Sequence, residues 1–326
     1  MIAASGIELR AGAQLLLADG SFRVGKGDRV GLVGRNGAGK TTLTRALAGE
    51  TLPAKGAISS TGTVGYLPQD PRTGDPDELA RDRILSARGL HDVVRRMQEA
   101  SMRMDEPDEV ERERIIARYA RAEAEFEALG GYAVESEAAT IAASVGLPDR
   151  VLSQPLGTLS GGQRRRVELA RILFSGADVL LLDEPTNHLD ADSVRWLRKF
   201  LSTYEGGFIV ISHDTALLED TVNKVWHLDA NRREIDVYAM GWKAYGVARE
   251  TDEKRRKRER RNAEQQADVL RAQAEKMRAK ASKAKAAQNM LRRADSLLSG
   301  ADEIRMSDKV AKLRFPTPKP CGKVPL

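Results

Sequence analysis

The chain has 326 residues, 41% of them apolar and 31% charged, with a formal net charge of +6 and one cysteine, Cys321. That length holds one large domain or two modest ones, and the apolar share suffices for a core. No run of eighteen apolar residues occurs, the start MIAASGIELRAG lacks a basic-then-apolar leader, and one cysteine cannot build an internal disulfide framework. A stable membrane span, a secretory signal and a disulfide scaffold are therefore not expected, and a cytoplasmic setting is.

In chain order, residues 7–10 and 14–17 read as short strands of an antiparallel N-terminal piece. Residues 28–33 read as a buried strand running into a glycine loop, and 41–48 as the helix after it. Between Gly74 and Gly146 the sequence is polar and rich in Ala, Arg and Glu. This predicts a helical subdomain over about 75–175, broken near Pro107 and Gly130-Gly131. Residues 179–182 and 208–211 are continuous apolar runs, as parallel strands covered on both faces require. Residues 1–247 thus read as one α/β domain.

From Ala248 the composition changes: aromatic residues, Gly and Pro vanish to about Leu298, and Ala, Arg, Lys, Glu and Gln dominate. These are strong helix formers, and 248–300 is predicted as an exposed helical hairpin turning near residues 282–287. Residues 254–293 hold fifteen Lys or Arg against four acids, a net of +11, so the other 286 residues sum to −5. The positive charge belongs to this segment. Residues 301–326 end in FPTPKPCGKVPL, four prolines in twelve residues, which reads as a linker.

Two motifs carry chemistry. Gly34, Asn36, Gly37, Gly39, Lys40 and Thr41 fall in the pattern G-x-x-x-x-G-K-[ST], followed by Thr42. Such glycines let backbone N–H groups face phosphates and the next helix presents its positive end. Lys40 reaches the β and γ oxygens, and Thr41 is a Mg²⁺ ligand. The apolar run 179–182 leads into Asp183 and Glu184. At the carboxyl end of a strand Asp183 suits the metal and Glu184 suits polarisation of an attacking water. Alone, two acids after a strand are as well explained by helix capping; with the phosphate loop they point to nucleoside triphosphate hydrolysis.

Further segments resemble the ATP-binding-cassette (ABC) family. Leu159-Ser160-Gly161-Gly162-Gln163 is similar to its signature loop, Gln69 in Tyr66-Leu67-Pro68-Gln69-Asp70 to its Q-loop glutamine, Pro185–Asp190 to its D-loop and His213 to its switch histidine. The resemblance covers 1–247. It implies a P-loop NTPase cassette with a mixed sheet core, an antiparallel N-terminal β piece and a helical subdomain, using ATP and Mg²⁺. Gln69, Glu184 and His213 would be catalytic, and Gln69 a metal ligand beside Thr41 and Asp183. It also implies two cassettes packed head to tail, so that Ser160, Gly161, Gly162 and Gln163 serve a nucleotide held by the partner cassette. One departure stands out. Where the family stacks an aromatic ring on adenine, this sequence reads Arg10-Ala11-Gly12, which predicts weak base selectivity.

The motif Asn187-His188-Leu189-Asp190, the segment Tyr238–Tyr245 and the basic segment after it resemble the ABC-F branch, whose two cassettes flank a helical linker that enters the ribosome. The resemblance implies a ribosomal partner, rRNA and tRNA, met by Lys276, Arg278, Lys280, Lys283, Lys285, Arg292 and Arg293. It also implies that 301–326 runs into a second cassette, present in cis or replaced by a homodimer. The expected function is an ATPase acting in translation or in ribosome-protecting antibiotic resistance, active when paired with a second cassette. An ABC exporter subunit and an ABC-F-like protein acting on branched DNA remain the alternatives; Glu184 argues against a non-hydrolysing module.

Overall fold

The computed structural model describes residues 1–69, 74–105, 107–278 and 284–299. Two compact units divide the chain, Met1–Arg249 and Glu250–Leu326.

The first unit opens with β1 (Ile2–Ala11) and β2 (Gln14–Val24), which pair antiparallel. Both are longer than the strands expected at 7–10 and 14–17, because irregularities in register at Ala4/Ile7 and Ile7/Leu9 break the apolar alternation. β3 (Arg29–Gly34) leads into the glycine loop and α1 (Lys40–Leu47). β4 (Lys55–Ser60) completes a sheet in the order β2-β1-β4, and β5 (Val64–Leu67) follows. The helical stretch comprises α2 (Ala80–Leu85), α3 (Leu90–Ser101), α4 (Glu109–Ala128), α5 (Gly131–Ser144), α6 (Asp149–Leu152) and α7 (Gly161–Phe174). Asp108 caps α4 through its carboxylate, and Gly130 supplies the positive φ of 99° between α4 and α5.

β6 (Val179–Asp183), α8 (Ala191–Thr203), β7 (Gly207–Ile211), α9 (Thr215–Thr221), β8 (Lys224–Asp229) and β9 (Glu234–Tyr238) complete the cassette. The second sheet runs β5-β6-β7-β3-β8-β9, parallel throughout except for the antiparallel edge β9. Its strands are apolar at successive positions because each face has its own core. Leu180, Leu182, Phe208 and Val210 pack toward the helices, while Val179, Leu181, Ile209 and Ile211 pack with β1, β2 and α1.

Gly34 ends β3 beside Leu228 of β8, and a β-carbon there would sit 2.6 Å from the Leu228 carbonyl oxygen. Its φ is not positive, so this glycine answers to strand packing.

α10 (Trp242–Arg278) starts in the first unit, where the Tyr245 hydroxyl lies 2.9 Å from Nδ1 of His227 and Arg249 reaches Asp236 at 3.3 Å. In the second unit α10 and α11 (Ala284–Ser299) meet through an Arg271–Asp295 ion pair of 3.1 Å. Ala267, Ala274, Ala287 and Ala294 are buried, each pair seven residues apart as in a coiled coil, and their small size lets two backbones approach. The hairpin turn expected over 282–287 is shorter at its far end, since residues 284–287 are already helical; 279–283 lie outside the described residues, as do 300–326.

Gly34→Ala is expected to lower the unfolding free energy by about 1–3 kcal/mol, the usual cost of forcing atoms into a packed site. A urea melt unchanged from the parent would show that β3 and β8 do not pack this closely at the loop.

Candidate functional site

The parallel strands β6, β7 and β3 end side by side, and a cavity of about 640 Å³ opens at those ends. Asn36, Gly37, Gly39, Lys40, Thr41 and Thr42 form one wall; Gln69, Asp183, Glu184, Asn187 and His213 form the other. The loop turns through Gly37 and Gly39, whose φ values of 76° and 101° suit residues without a β-carbon. Lys40 Nζ donates to the carbonyls of Gly34 and Arg35 at 3.0 and 3.1 Å. Burial pulls the pKa of Lys40 down, against the opposing pull of Asp183 and Glu184.

Asp183 is 2% exposed and accepts a 2.7 Å hydrogen bond from the Thr41 hydroxyl. Burial raises its pKa, although Thr41, Arg165 and Lys40 all oppose the rise. A buried carboxylate beside a hydroxyl is a pair of hard oxygen donors, which fits Mg²⁺ with phosphate oxygens supplying further positions. Among the described residues no cluster of three or more His, Cys, Asp or Glu side chains could hold a metal.

Glu184 is 9% exposed and its backbone adopts φ 50°, a left-handed conformation that costs a non-glycine residue about 1–3 kcal/mol. Three bonds hold it there. Its N–H donates to the Ile211 carbonyl at 2.8 Å, its carbonyl accepts from Arg165 at 2.8 Å, and its carboxylate accepts from the His213 N–H at 3.3 Å. The His213 ring is 77% exposed, with Nε2 3.4 Å from a Glu184 carboxylate oxygen. Desolvation raises the Glu184 pKa and the nearby His213 lowers it in part.

Of the residues singled out in the sequence, Asn36, Gly37, Gly39, Lys40, Thr41, Thr42, Gln69, Asp183, Glu184 and His213 line this one cavity. Gly34 does not; it lies beneath the loop in β3. Ser160, Gly161, Gly162 and Gln163 do not either. They start α7, where the Ser160 hydroxyl accepts from the Gln163 N–H at 3.2 Å and the Gln163 side chain accepts from the Ser160 N–H at 2.9 Å. Lys276, Arg292 and Arg293 are exposed on the second unit, while Lys280 and Lys283, and the side chains of Arg278 and Lys285, lie outside the described residues.

Sequence reasoning missed two arginines. Arg165 donates from one side of its guanidinium to the Pro68 and Gln69 carbonyls and from the other to those of Asp183 and Glu184. Arg198 on α8 reaches the Asp214 carboxylate at 3.2 Å, beside His213. A signal for the first existed. Arg164, Arg165 and Arg166 are consecutive, and at about 100° per residue three neighbours on one helix cannot all face water.

This arrangement defines a P-loop nucleotidase of the ATP-binding-cassette class. Comparisons agree: residues 17–187 match the ABC transporter family, and residues 228–315 match its extension. The chain belongs to the ABC transporter family, as an ABC-F type cassette. It is 34% identical over 273 residues to the tylosin resistance ATP-binding protein TlrC of Streptomyces fradiae, covering 82% of this chain and 48% of that protein. It is 37% identical over 222 residues to the energy-dependent translational throttle protein EttA of Haemophilus influenzae, covering 67% of this chain and 39% of that one. The chain thus spans less than half the length of either relative. A solved ATP-binding subunit of an ABC transporter shares the fold, with a TM-score of 0.56 at 19% identity over 77% of this chain and 93% of that one. No helix among the described residues is long and apolar enough to cross a membrane.

Because Asp183 holds its proton more tightly when folded, the folded chain gives up stability as pH rises above the ordinary aspartate value of 3.8. Asp183→Asn removes that charge. The ligand-free variant is expected to melt about 2–4 °C above the parent at pH 7, the shift that about 1 kcal/mol produces in a domain of this size. Below the ordinary aspartate value the gap should close. A variant melting lower at both pH values would show that the carboxylate stabilises the free protein.

Proposed function

We propose that this chain is the N-terminal half of an ABC-F protein that hydrolyses Mg-ATP against a second cassette and acts on the ribosome. The observation that carries the reading is a single chain holding a phosphate cavity without its own signature loop, followed by a helical unit with an exposed cationic face. Lys254, Lys257, Arg258 and Arg261 are exposed at i, i+3, i+4 and i+7 on α10, which places them on one side of the helix. Lys254 pairs with Glu250 at 2.6 Å, while Lys257, Arg258 and Arg261 have no ion pair among the described residues. Unpaired cations in a row suit the phosphates of an RNA helix, which is recognised by shape and backbone. The names of the relatives, a translational throttle and a tylosin resistance protein, support a role in translation.

In the cavity, the phosphate loop and Lys40 bind the triphosphate. Thr41, Gln69 and Asp183 would hold Mg²⁺, which would supply charge neutralisation to the triphosphate. Glu184 accepts the proton of the attacking water, and its raised pKa makes it a better base than a free glutamate. His213 steadies that carboxylate from outside. Ser160 and Gly162, at the positive end of α7, serve a nucleotide in the partner cassette. Ala11, Gln14 and Leu16 also line the cavity, and no Phe, Tyr or Trp is among its described lining residues, which supports recognition of the triphosphate over the base.

Glu184→Gln is expected to leave ATP affinity within about threefold of the parent and to remove most turnover, since an amide cannot accept the water's proton. Specific activity of the unaltered chain should rise with protein concentration as dimers form. Undiminished turnover in the variant, or activity independent of concentration in a monomeric chain, would refute the corresponding step.

The ribosome reading is tested with Lys257→Glu, Arg258→Glu and Arg261→Glu together. Ribosome association should weaken and its log–log salt slope should fall by about two, from roughly 0.7–0.9 per lost phosphate contact, with ATP affinity unchanged. An unaltered slope would reduce this face to a solvated helix surface. Equal affinity for ribosomes and DNA junctions at one salt concentration would move the partner to DNA.

A further inference from the structure

Arg165 is 5% exposed and does not line the cavity. Burying a guanidinium is expensive unless its donors are met. Here they meet backbone carbonyls from two separate segments. Nη1 donates to Pro68 at 3.2 Å and to Gln69, while Nη2 donates to Asp183 at 2.7 Å and to Glu184 at 2.8 Å. Those segments carry the Q-loop glutamine and both acids of the cavity. All four of these bonds grip main-chain carbonyls, which sets where the side chains of those residues can point. The rigid planar fork is what lets one residue bridge two segments, and a lysine cannot reproduce it. Arg165 is fixed in turn by its helix, which begins five residues earlier at Ser160 with a closed capping box and is buried along most of its inner face.

We propose that Arg165 is the positioning residue for the metal side of the nucleotide cavity: it holds Gln69, Asp183 and Glu184 in register from α7. This rests on the nucleotide reading above. The four bonds from Arg165 go to Pro68, Gln69, Asp183 and Glu184, whereas the phosphate side is built by the loop from Asn36 to Lys40. Losing Arg165 therefore acts first on the metal side, and reaches the phosphate side only through the Thr41–Asp183 bond. ATP without metal draws on the phosphate side; the added affinity that Mg²⁺ brings draws on Thr41, Gln69 and Asp183.

The experiment measures ATP affinity of the 326-residue chain by equilibrium binding, once in excess Mg²⁺ and once in chelator, beside a thermal melt. For Arg165→Met, affinity in chelator should stay within about twofold of the parent, and the gain on adding Mg²⁺ should shrink about tenfold, since each charge-assisted bond lost from a buried fork is of that order. Arg165→Lys keeps the charge and reaches one carbonyl pair, so the gain should shrink about threefold with a melting temperature near the parent's. If the methionine variant does not fold, the lysine variant decides. A full Mg²⁺ gain in a folded variant overturns the proposal. So does a parallel loss in both buffers that tracks a lower melting temperature, because that is a general structural role. A parent chain that binds ATP in neither buffer removes the nucleotide reading, and this inference with it; a parent with a Mg²⁺ gain that both variants keep removes this inference alone.

Discussion

The Thr41 hydroxyl donates to the Asp183 carboxylate over 2.7 Å, joining positions 142 apart in the chain. β3, which leads through the glycine loop to Thr41, and β6, which ends at Asp183, do not pair with each other; β7 lies between them. The contact therefore exists only if three parallel strands are stacked in the right order and stop at the same height. That constraint explains much of the core. Strands covered on both faces need two apolar cores, and the alternation of Val179 and Leu181 against Leu180 and Leu182 supplies them. Keeping Asp183 dry raises its pKa, so burial disfavours the charged form of this carboxylate in the free protein. That burial has a function on the reading proposed, because a poorly solvated carboxylate is a strong ligand for a cation.

Much of this was legible in the sequence, for a physical reason. The phosphate loop, the acids after β6 and the capping box at Ser160 are each local: a few neighbouring residues supply both the backbone conformation and the chemistry. β6 and β7 announced themselves as unbroken apolar runs. β4 did not, because Lys55–Ser60 is a mostly exposed edge strand whose only apolar side chains are Ala57 and Ile58. β1 and β2 were read too short because their irregular register spoils alternation. Gly34 read only as a phosphate glycine, yet it answers to packing as well, since a β-carbon there would meet a carbonyl on β8, 194 residues away. Arg165 was hidden for the same reason: its partners lie on two other segments, and no local pattern encodes them.

Glu184 shows how the remote contacts serve the local motif. Its backbone is held at φ 50° by the Ile211 carbonyl on β7, by Arg165 on α7 and by the His213 N–H beyond β7. A left-handed glutamate persists only where the surroundings over-determine it. Each support comes from a different element, so the orientation of this carboxylate reports on the packing of the whole cassette. A water-activating base needs that kind of fixation, since its reach is a single hydrogen bond.

The signature residues occupy the opposite end of the same device. Ser160 closes its capping box on its own helix and lines no part of the cavity, so the positive end of α7 is committed elsewhere. On the sandwich reading, that end meets a partner's nucleotide, while five residues along the same helix Arg165 grips the chain's own Gln69 and Glu184. At about 1.5 Å per residue the two points are roughly 7.5 Å apart on one rigid rod. A displacement of the helix start cannot then be absorbed between them. Were a partner's phosphate to bind at Ser160, the same rigid helix would link that end to the main chain carrying Gln69, Asp183 and Glu184.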